Sequence, residues 1–579
     1  MDDHRPRAAA GHARRSRHDA VRRQPLATGV RTCGGDGTTG AVSRRRAAVL
    51  TCLPHMDPSI PFPSLARDLE QLAARGIAPE EAARQLGQLR SPPPALDLDR
   101  PCTPGDGIVR IDPAERARLG AVHDAAAARG ELCAFVPASG AASRMFRDLL
   151  ACRNDARECS RAEVEAAAAA GRAEARALLA FIAGLDRFAF RGPLADALAA
   201  RGQSLAALAT DGPWRPLLAA LLDADGLDYA SQPKGLIPFH AGPGAARTAF
   251  EEHLAEAAQL YRDAGGAARI HVTASPDHLD RFHAVLERFR ASAGRNAARF
   301  AVEFSVQAPS TDTLAIDSDG EPFRDAAGAL VFRPAGHGAL LGNLAHAPTP
   351  VVMIKNIDNV AAAPWRAPTL EWTRTIVGLA CELRLRGRAL ERRLTDERDS
   401  AALREAREFV QKMGTAIGTT ADHAAGHGGR IALREALARP LRVCGMVPNT
   451  GEPGGGPFWV RGRDGRVTRQ IVESAQVRSG DATQAAVFAA ATHFNPVFLA
   501  CVIDDAGGRR HDLARFVDAD AAIVTRRSAG GRDLVALERP GLWNGGMAGW
   551  NTVFVEVPLA VFNPVKTVND LLRREHQPA

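Results

Sequence analysis

The chain has 579 residues, 46% apolar and 24% charged, the proportions of a soluble globular protein long enough for several domains' worth of core. No uninterrupted apolar run approaches the roughly twenty residues that span a bilayer, so a membrane segment is not expected. The net charge of +7 resides in residues 1–55, which hold eleven arginines and four aspartates; the other 62 basic and 62 acidic side chains cancel, and the basic pI is no argument for a nucleic-acid surface.

Residues 1–55 form an arginine-rich tail with little apolar content and no period, expected to be disordered, and without the apolar core of a secretory signal. Met56 is the expected true start. Nine scattered cysteines, none in a C-x-x-C pair, argue against a zinc ribbon or disulfide framework and for a reducing cytoplasm. Residues 56–130 read as an N-terminal helical segment interrupted by the Pro-rich "SPPPALDLDRPCTPGDG". In "ELCAFVPASGAASRMFRDLL" an apolar run enters a small-residue turn, and an amphipathic helix leaves it. Residues 147–228 are an Ala/Leu/Arg/Glu helical insertion within a core spanning 131–440. After Lys234 the runs "ARIHVTASP", "RFAVEFSVQ", "TLAIDSDG", "ALVFRPAGHG" and "PVVMIKNIDN" follow a helix and predict an α/β sheet. Residues 365–437 are helical again, and 441–579 form a C-terminal α/β portion.

Lysine usage singles out the chemistry. Of 73 basic residues only Lys234, Lys355, Lys412 and Lys566 are lysines. In a composition so biased toward arginine, a lysine marks a position where a compact ammonium serves and a planar fork does not. Three of the four lie in motif-like stretches: "PKG", "KNIDN" and "PVKT". The turn at Ser139, Gly140 and Ala141 lets backbone N–H groups approach an anion, and Arg144 offers a fork for phosphate; the competing reading is a plain tight turn. Asp358, beyond a buried strand, is placed to hold Mg²⁺ together with phosphate oxygens, or else to cap a turn. His337, flanked by Gly336 and Gly338, lets the main chain lie against a flat base, or serves the turn alone. Lys566 emerges from a Pro-preceded loop. Glu473 on a strand and His493 after a helix carry less weight. Asp312, Asp317 and Asp319 read as a hairpin turn, and His253 as a helix-face residue.

Taken in order, S-R-M, P-K-G, P-x-G-H-G-x-L, N-I-D-N and P-V-K-T-x-x-D-L-L resemble the UDP-sugar pyrophosphorylase family, most closely in "FNPVKTVNDLL". "IVESAQV" and "GWNTVFVEV" are similar to further stretches of that family. Residues 57–579 as a whole also resemble a bacterial family catalogued as domain of unknown function 4301. The resemblance implies a GT-A-like nucleotide-diphospho-sugar transferase fold, a Rossmann-like mixed α/β sheet with a helical insertion and a C-terminal α+β portion. It further implies that Ser139, Gly140, Ala141 and Arg144 line a triphosphate, and that Lys234 neutralises phosphate charge. Gly336, His337 and Gly338 would meet the base and ribose, and Asp358 would hold Mg²⁺. Lys566 would contact the sugar phosphate or the α-phosphate, with Asn356, Glu473 and Asn551 on the sugar-phosphate side. Lys234 lies some ninety residues beyond the loop, so the helical insertion must fold outward to bring it back. The implied partners are a nucleoside triphosphate, UTP favoured, and a sugar-1-phosphate, with neither nucleic acid nor membrane. A catalytically weak binding protein on the same fold, and another group transfer in the same site, are the rival readings.

Overall fold

A computed structural model describes residues 66–155, 159–242, 245–292, 299–413, 427–451, 454–478, 480–529 and 531–579. The arginine-rich tail lies outside them. The chain is built around a mixed sheet of ten strands. Its seven main strands are β1 (Leu132–Pro137), β2 (Ala267–Thr273), β3 (Arg299–Ser305), β4 (Val351–Lys355), β5 (Leu441–Pro448), β6 (Phe498–Val502) and β7 (Asn551–Glu556). They lie in the order β7-β5-β6-β4-β1-β2-β3, all parallel except β6, which runs against both neighbours. The runs "LCAFV" and "VVMIK" are buried at every position, as strands covered on both faces must be.

One face is covered by α1 (Pro113–Ala128), α2 (Ala249–Leu260), α3 (Leu279–Ser292) and the long α4 (Ala367–Arg393). Their starts are written locally. Asp112 caps α1 by accepting from the Glu115 N–H, ahead of a first-turn proline, and Thr248 with Glu251 forms a capping box on α2. Between Arg147 and Leu222 the chain is a succession of short helices packed on Phe181, Phe188, Phe190 and Trp214.

Two of the expected sheet strands lie elsewhere. "TLAI" and the "FR" before Pro334 belong to a separate antiparallel sheet with Ile523–Ala529 and Arg532–Glu538, covered by helices Ala66–Arg75 and Pro79–Arg90 over a core of Leu72, Leu86, Leu314 and Leu537. The reason is local. Asp317 accepts from the N–H groups of Asp319 and Glu321 and turns the chain straight back, whereas a parallel partner needs a crossover of about a dozen residues.

The C-terminal segment is tied down by buried polar groups. His576 Nδ1 lies 2.9 Å from His240 Nε2, His240 Nδ1 lies 2.9 Å from Glu252 Oε1, and Arg366 closes on the same carboxylate. Burial, aided by His240, pushes His576 down to about 3; burial, aided by Lys355, pushes His253 down to about 4. Both rings stay neutral in the folded chain, while the unfolded chain takes up protons below the ordinary value of 6.5. Their stability contribution is therefore complete above about pH 6.5 and lost as pH falls toward 4 and below. The melting temperature is expected to decline steadily across that window in buffers of constant ionic strength. A flat profile would contradict it.

Candidate active site

A cleft of about 1200 Å³ opens at the carboxyl ends of β1 and β4. In parallel sheets this is where loops are free to gather around a ligand. Its first wall is the turn after β1. The Ala138 N–H still bonds the Thr273 carbonyl, and the Ala142 N–H bonds the Gln232 carbonyl. Among the described residues nothing accepts from the N–H groups of Ser139, Gly140 and Ala141 between them, which line the cleft with Arg144. Successive unpaired backbone donors are the kind of group from which anion-binding turns are built. Arg144 has no ion-pair partner among the described residues.

The contact from Ala142 to Gln232, with an antiparallel bridge between Ala141 and Pro233, places P-K-G directly against this turn. The helices between are looped out, as the distance along the chain required. Lys234 then points its ammonium at Asp358 Oδ2, 2.8 Å away, and at the Val565 carbonyl, 2.6 Å away. Lys566 Nζ lies 3.6 Å from the same Asp358 oxygen. The two lysines differ in setting: the Lys234 side chain is 14% exposed, that of Lys566 55%. Burial alone would raise the Asp358 carboxyl, but the two ammonium groups outweigh it and hold it below the usual carboxylate range.

The N-I-D-N and P-V-K-T motifs turn out to be partners. Asn359 and Pro564 form an antiparallel bridge, the Val565 N–H bonds the Asp358 carbonyl, and the Asn563 N–H bonds Asn359 Oδ1. Asp570 accepts from the N–H groups of Lys566 and Thr567, so the segment after the lysine is capped rigidly. Asn356 lines the cleft floor beside them.

The G-H-G turn also reaches the cleft, through Gly336 and His337. Gly336 has φ +70°, and a Cβ on Gly338 would sit 2.2 Å from the Pro540 carbonyl oxygen, so both glycines are dictated by backbone geometry. His337 stacks on Trp543 with ring centroids 3.9 Å apart and planes 10° from parallel. Its Nδ1 accepts from the Leu542 N–H at 2.9 Å, which puts the proton on Nε2, 3.5 Å from Glu473 Oε1. Burial raises the Glu473 carboxyl, but bonds from His337 and the Trp543 indole prevail and lower it.

Two residues stand elsewhere. Asn551 opens β7, and the residue that opens a parallel strand lies at its amino end. Asn551 pairs with Leu441, Leu441 with Val502, and Val502 with Val351 at the start of β4, the end of the sheet away from Asp358. Its amide is buried and donates to the Ala436 carbonyl. Lys355 belongs to the motif but not to the cleft: it is the last residue of β4, and its buried ammonium pairs with Glu256 of α2. Asp358 follows beyond the strand, where the chain turns toward the cleft.

Sequence reading missed Trp543 and the charges contributed by the second sheet and its helices: Arg75 on Asp312, Arg527 on Glu538, and Arg333, which has no ion-pair partner among the described residues. A tryptophan inside "GLWNGG", one of only six, was the available signal. Among the cleft-lining side chains Arg75, Arg144, Lys234, Arg333 and Arg527 outnumber Asp312, Asp358 and Glu538, so the cleft is electropositive.

Among the described residues no cluster of three or more metal-ligating side chains occurs. Asp358 gives Oδ2 to the lysines, which leaves Oδ1. One carboxylate oxygen suits Mg²⁺ delivered with phosphates, which keeps most of its shell from water and ligand, and does not make a protein cage.

No helix among the described residues is long and apolar enough to cross a membrane. Among solved structures the chain is similar to uridine diphosphate N-acetylglucosamine pyrophosphorylase from Trypanosoma brucei (13% identity, TM-score 0.42, covering 88% of this chain and 79% of that one). It is also similar to UDP-glucose pyrophosphorylase from Leishmania major (11%, TM-score 0.39, 88% and 78%) and to a UDP-N-acetylglucosamine pyrophosphorylase assignment from Entamoeba histolytica (8%, TM-score 0.37, 78% and 79%). No curated protein matches the sequence. Residues 65–577 match the family described as Domain of unknown function (DUF4301), and the chain belongs to that family.

Proposed function

We propose that this protein transfers a nucleotidyl group from a nucleoside triphosphate, UTP favoured, to a sugar-1-phosphate with release of pyrophosphate. The observation that carries the reading is the pairing of Lys234 with Asp358 in one electropositive cleft, beside a turn of free backbone donors, with Lys566 of a third segment 3.6 Å from the same Asp358 oxygen. At about 1200 Å³ the cleft exceeds the ~300–1,000 Å³ of a single small-molecule site, and so has room for two substrates.

In the reaction a sugar-phosphate oxygen bonds to the α-phosphorus while the bond from that phosphorus to the bridging oxygen breaks, and pyrophosphate leaves with the electron pair. No side-chain nucleophile is required. The turn at Ser139–Ala141 and Arg144 grips phosphate oxygens. Lys234, fixed by Asp358 and the Val565 carbonyl, sets a permanent positive charge. Lys566, more exposed and free to swing, follows an oxygen as bonds rearrange. Stacked on Trp543 and oriented by Glu473, His337 presents a flat rigid wall for the base. Mg²⁺, when bound through phosphates and Asp358, supplies further neutralisation of charge.

Release of pyrophosphate from UTP with a panel of sugar-1-phosphates tests the reading, and at least one pair is expected to turn over. A UTP concentration near 100 Kd is expected to stabilise the fold by about 2.7 kcal/mol. Stabilisation by UTP without pyrophosphate release from any pair would replace the enzyme by a binding protein.

A further inference from the structure

Arg442 is an anomaly in the core. It lies near the start of β5, its side chain is wholly buried, and among the described residues no carboxylate pairs with it. The ionisable groups felt most strongly by the guanidinium are the thiols of Cys444 and Cys501, themselves held neutral by burial. Nε donates to Thr552 Oγ1 at 2.9 Å, Nη1 donates to the Trp543 carbonyl, and Nη2 has no partner. A buried charge without a counter-charge is costly, and an apolar side chain of similar volume is commonly the more stable choice. The contact with Thr552 does not account for it, because β5 and β7 are already paired from Leu441–Asn551 to Met446–Glu556.

The other contact does. Trp543 sits in the tight turn that runs from Gly541, whose Leu542 N–H orients His337 and whose indole backs the His337 ring. We propose that Arg442 is a positioning residue for the cleft: by holding the Trp543 carbonyl from its place on β5, it fixes the plane of the Trp543–His337 stack and, through it, the proton on His337 Nε2. Its value for ligand binding rests on the reading of that stack as the wall that receives the base.

The test uses the full chain carrying Arg442→Met, with ¹⁵N shifts of the His337 ring as the readout. The variant is expected to fold with an unchanged or higher melting temperature, while the His337 nitrogens move from the Nε2–H pattern toward a tautomeric mixture. With UTP as probe, KM is expected to rise about tenfold with kcat little changed, the size of one aromatic stacking contact and the sign of lost uniform binding. A folded variant whose His337 shifts match wild type overturns the proposal. Should the Met variant not fold, Arg442→Gln, neutral and too short to reach the carbonyl, decides by the same signal. Moved His337 shifts in a protein whose wild type binds no UTP uphold the positioning role and overturn the nucleotide reading. A rise in KM with His337 unmoved does the reverse.

Discussion

Lys566→Ala is expected to lower turnover on the order of 10²- to 10³-fold, the scale for removing one donor that stabilises a developing oxyanion, while leaving the fold intact. Both halves follow from its setting. The ammonium is 3.6 Å from Asp358 with a side chain 55% exposed, and ion pairs so exposed contribute roughly 0–1 kcal/mol to stability. The backbone of the segment is held independently, by Asp570 on the Lys566 and Thr567 N–H groups and by Asp358 on the Val565 N–H. Pyrophosphate release and thermal unfolding measured on the same preparation separate the two effects. Lys566→Arg is not expected to restore full activity, since a planar fork prefers bidentate docking and cannot follow one oxygen as freely. Turnover equal to wild type in the alanine variant would remove Lys566 from the site.

Asp358→Ala is expected to act in the other order, on stability first. The carboxylate and the Lys234 ammonium are both largely buried and 2.8 Å apart, and removing one partner of such a pair costs about 3–5 kcal/mol, because the other is left charged and uncompensated. The loss is expected to appear as a lower denaturation midpoint with the transition remaining cooperative. Lys234→Met in the same background is expected to recover most of it, since the stranded charge goes with the lysine. A double-mutant cycle on the denaturation midpoint reads the coupling directly. Additive losses would mean that Lys234 does not depend on Asp358, and the paired arrangement at the centre of the cleft would be wrong.

The contrast between the lysines shows how far sequence carried. Scarcity of lysine pointed to Lys234, Lys355 and Lys566 alike, because composition sees only that an ammonium was kept. Two of them meet at Asp358, and the third is a buried partner of Glu256. The difference is one of chain direction: Lys355 is still within the strand and faces the helix layer, whereas Asp358 lies beyond the strand in the turn toward the cleft. Asn551 failed for a related reason. Its motif was legible, but which end of the sheet a residue occupies depends on strand direction and register, and β7 runs in the direction of β4, which puts its first residue at the end away from Asp358. Trp543 and Arg442 were invisible because a turn and a strand a hundred residues apart had first to be packed face to face.

What the sequence determined by itself was the local material: buried parallel strands from unbroken apolar runs, helix starts from Asp112 and Thr248, a turn of small residues after β1, and a short roster of charged groups able to handle phosphate. Those features depend on neighbours within a few residues, where steric and hydrogen-bonding rules act alone. Tertiary structure decided which of the charges share a cleft. It joined N-I-D-N to P-V-K-T, looped the helices out so that Lys234 reaches the turn, brought the second sheet to the cleft, and sent Lys355 and Asn551 elsewhere. Those outcomes rest on contacts between segments far apart in the chain, whose geometry is set by the packing of the whole sheet and is written in no single stretch of it.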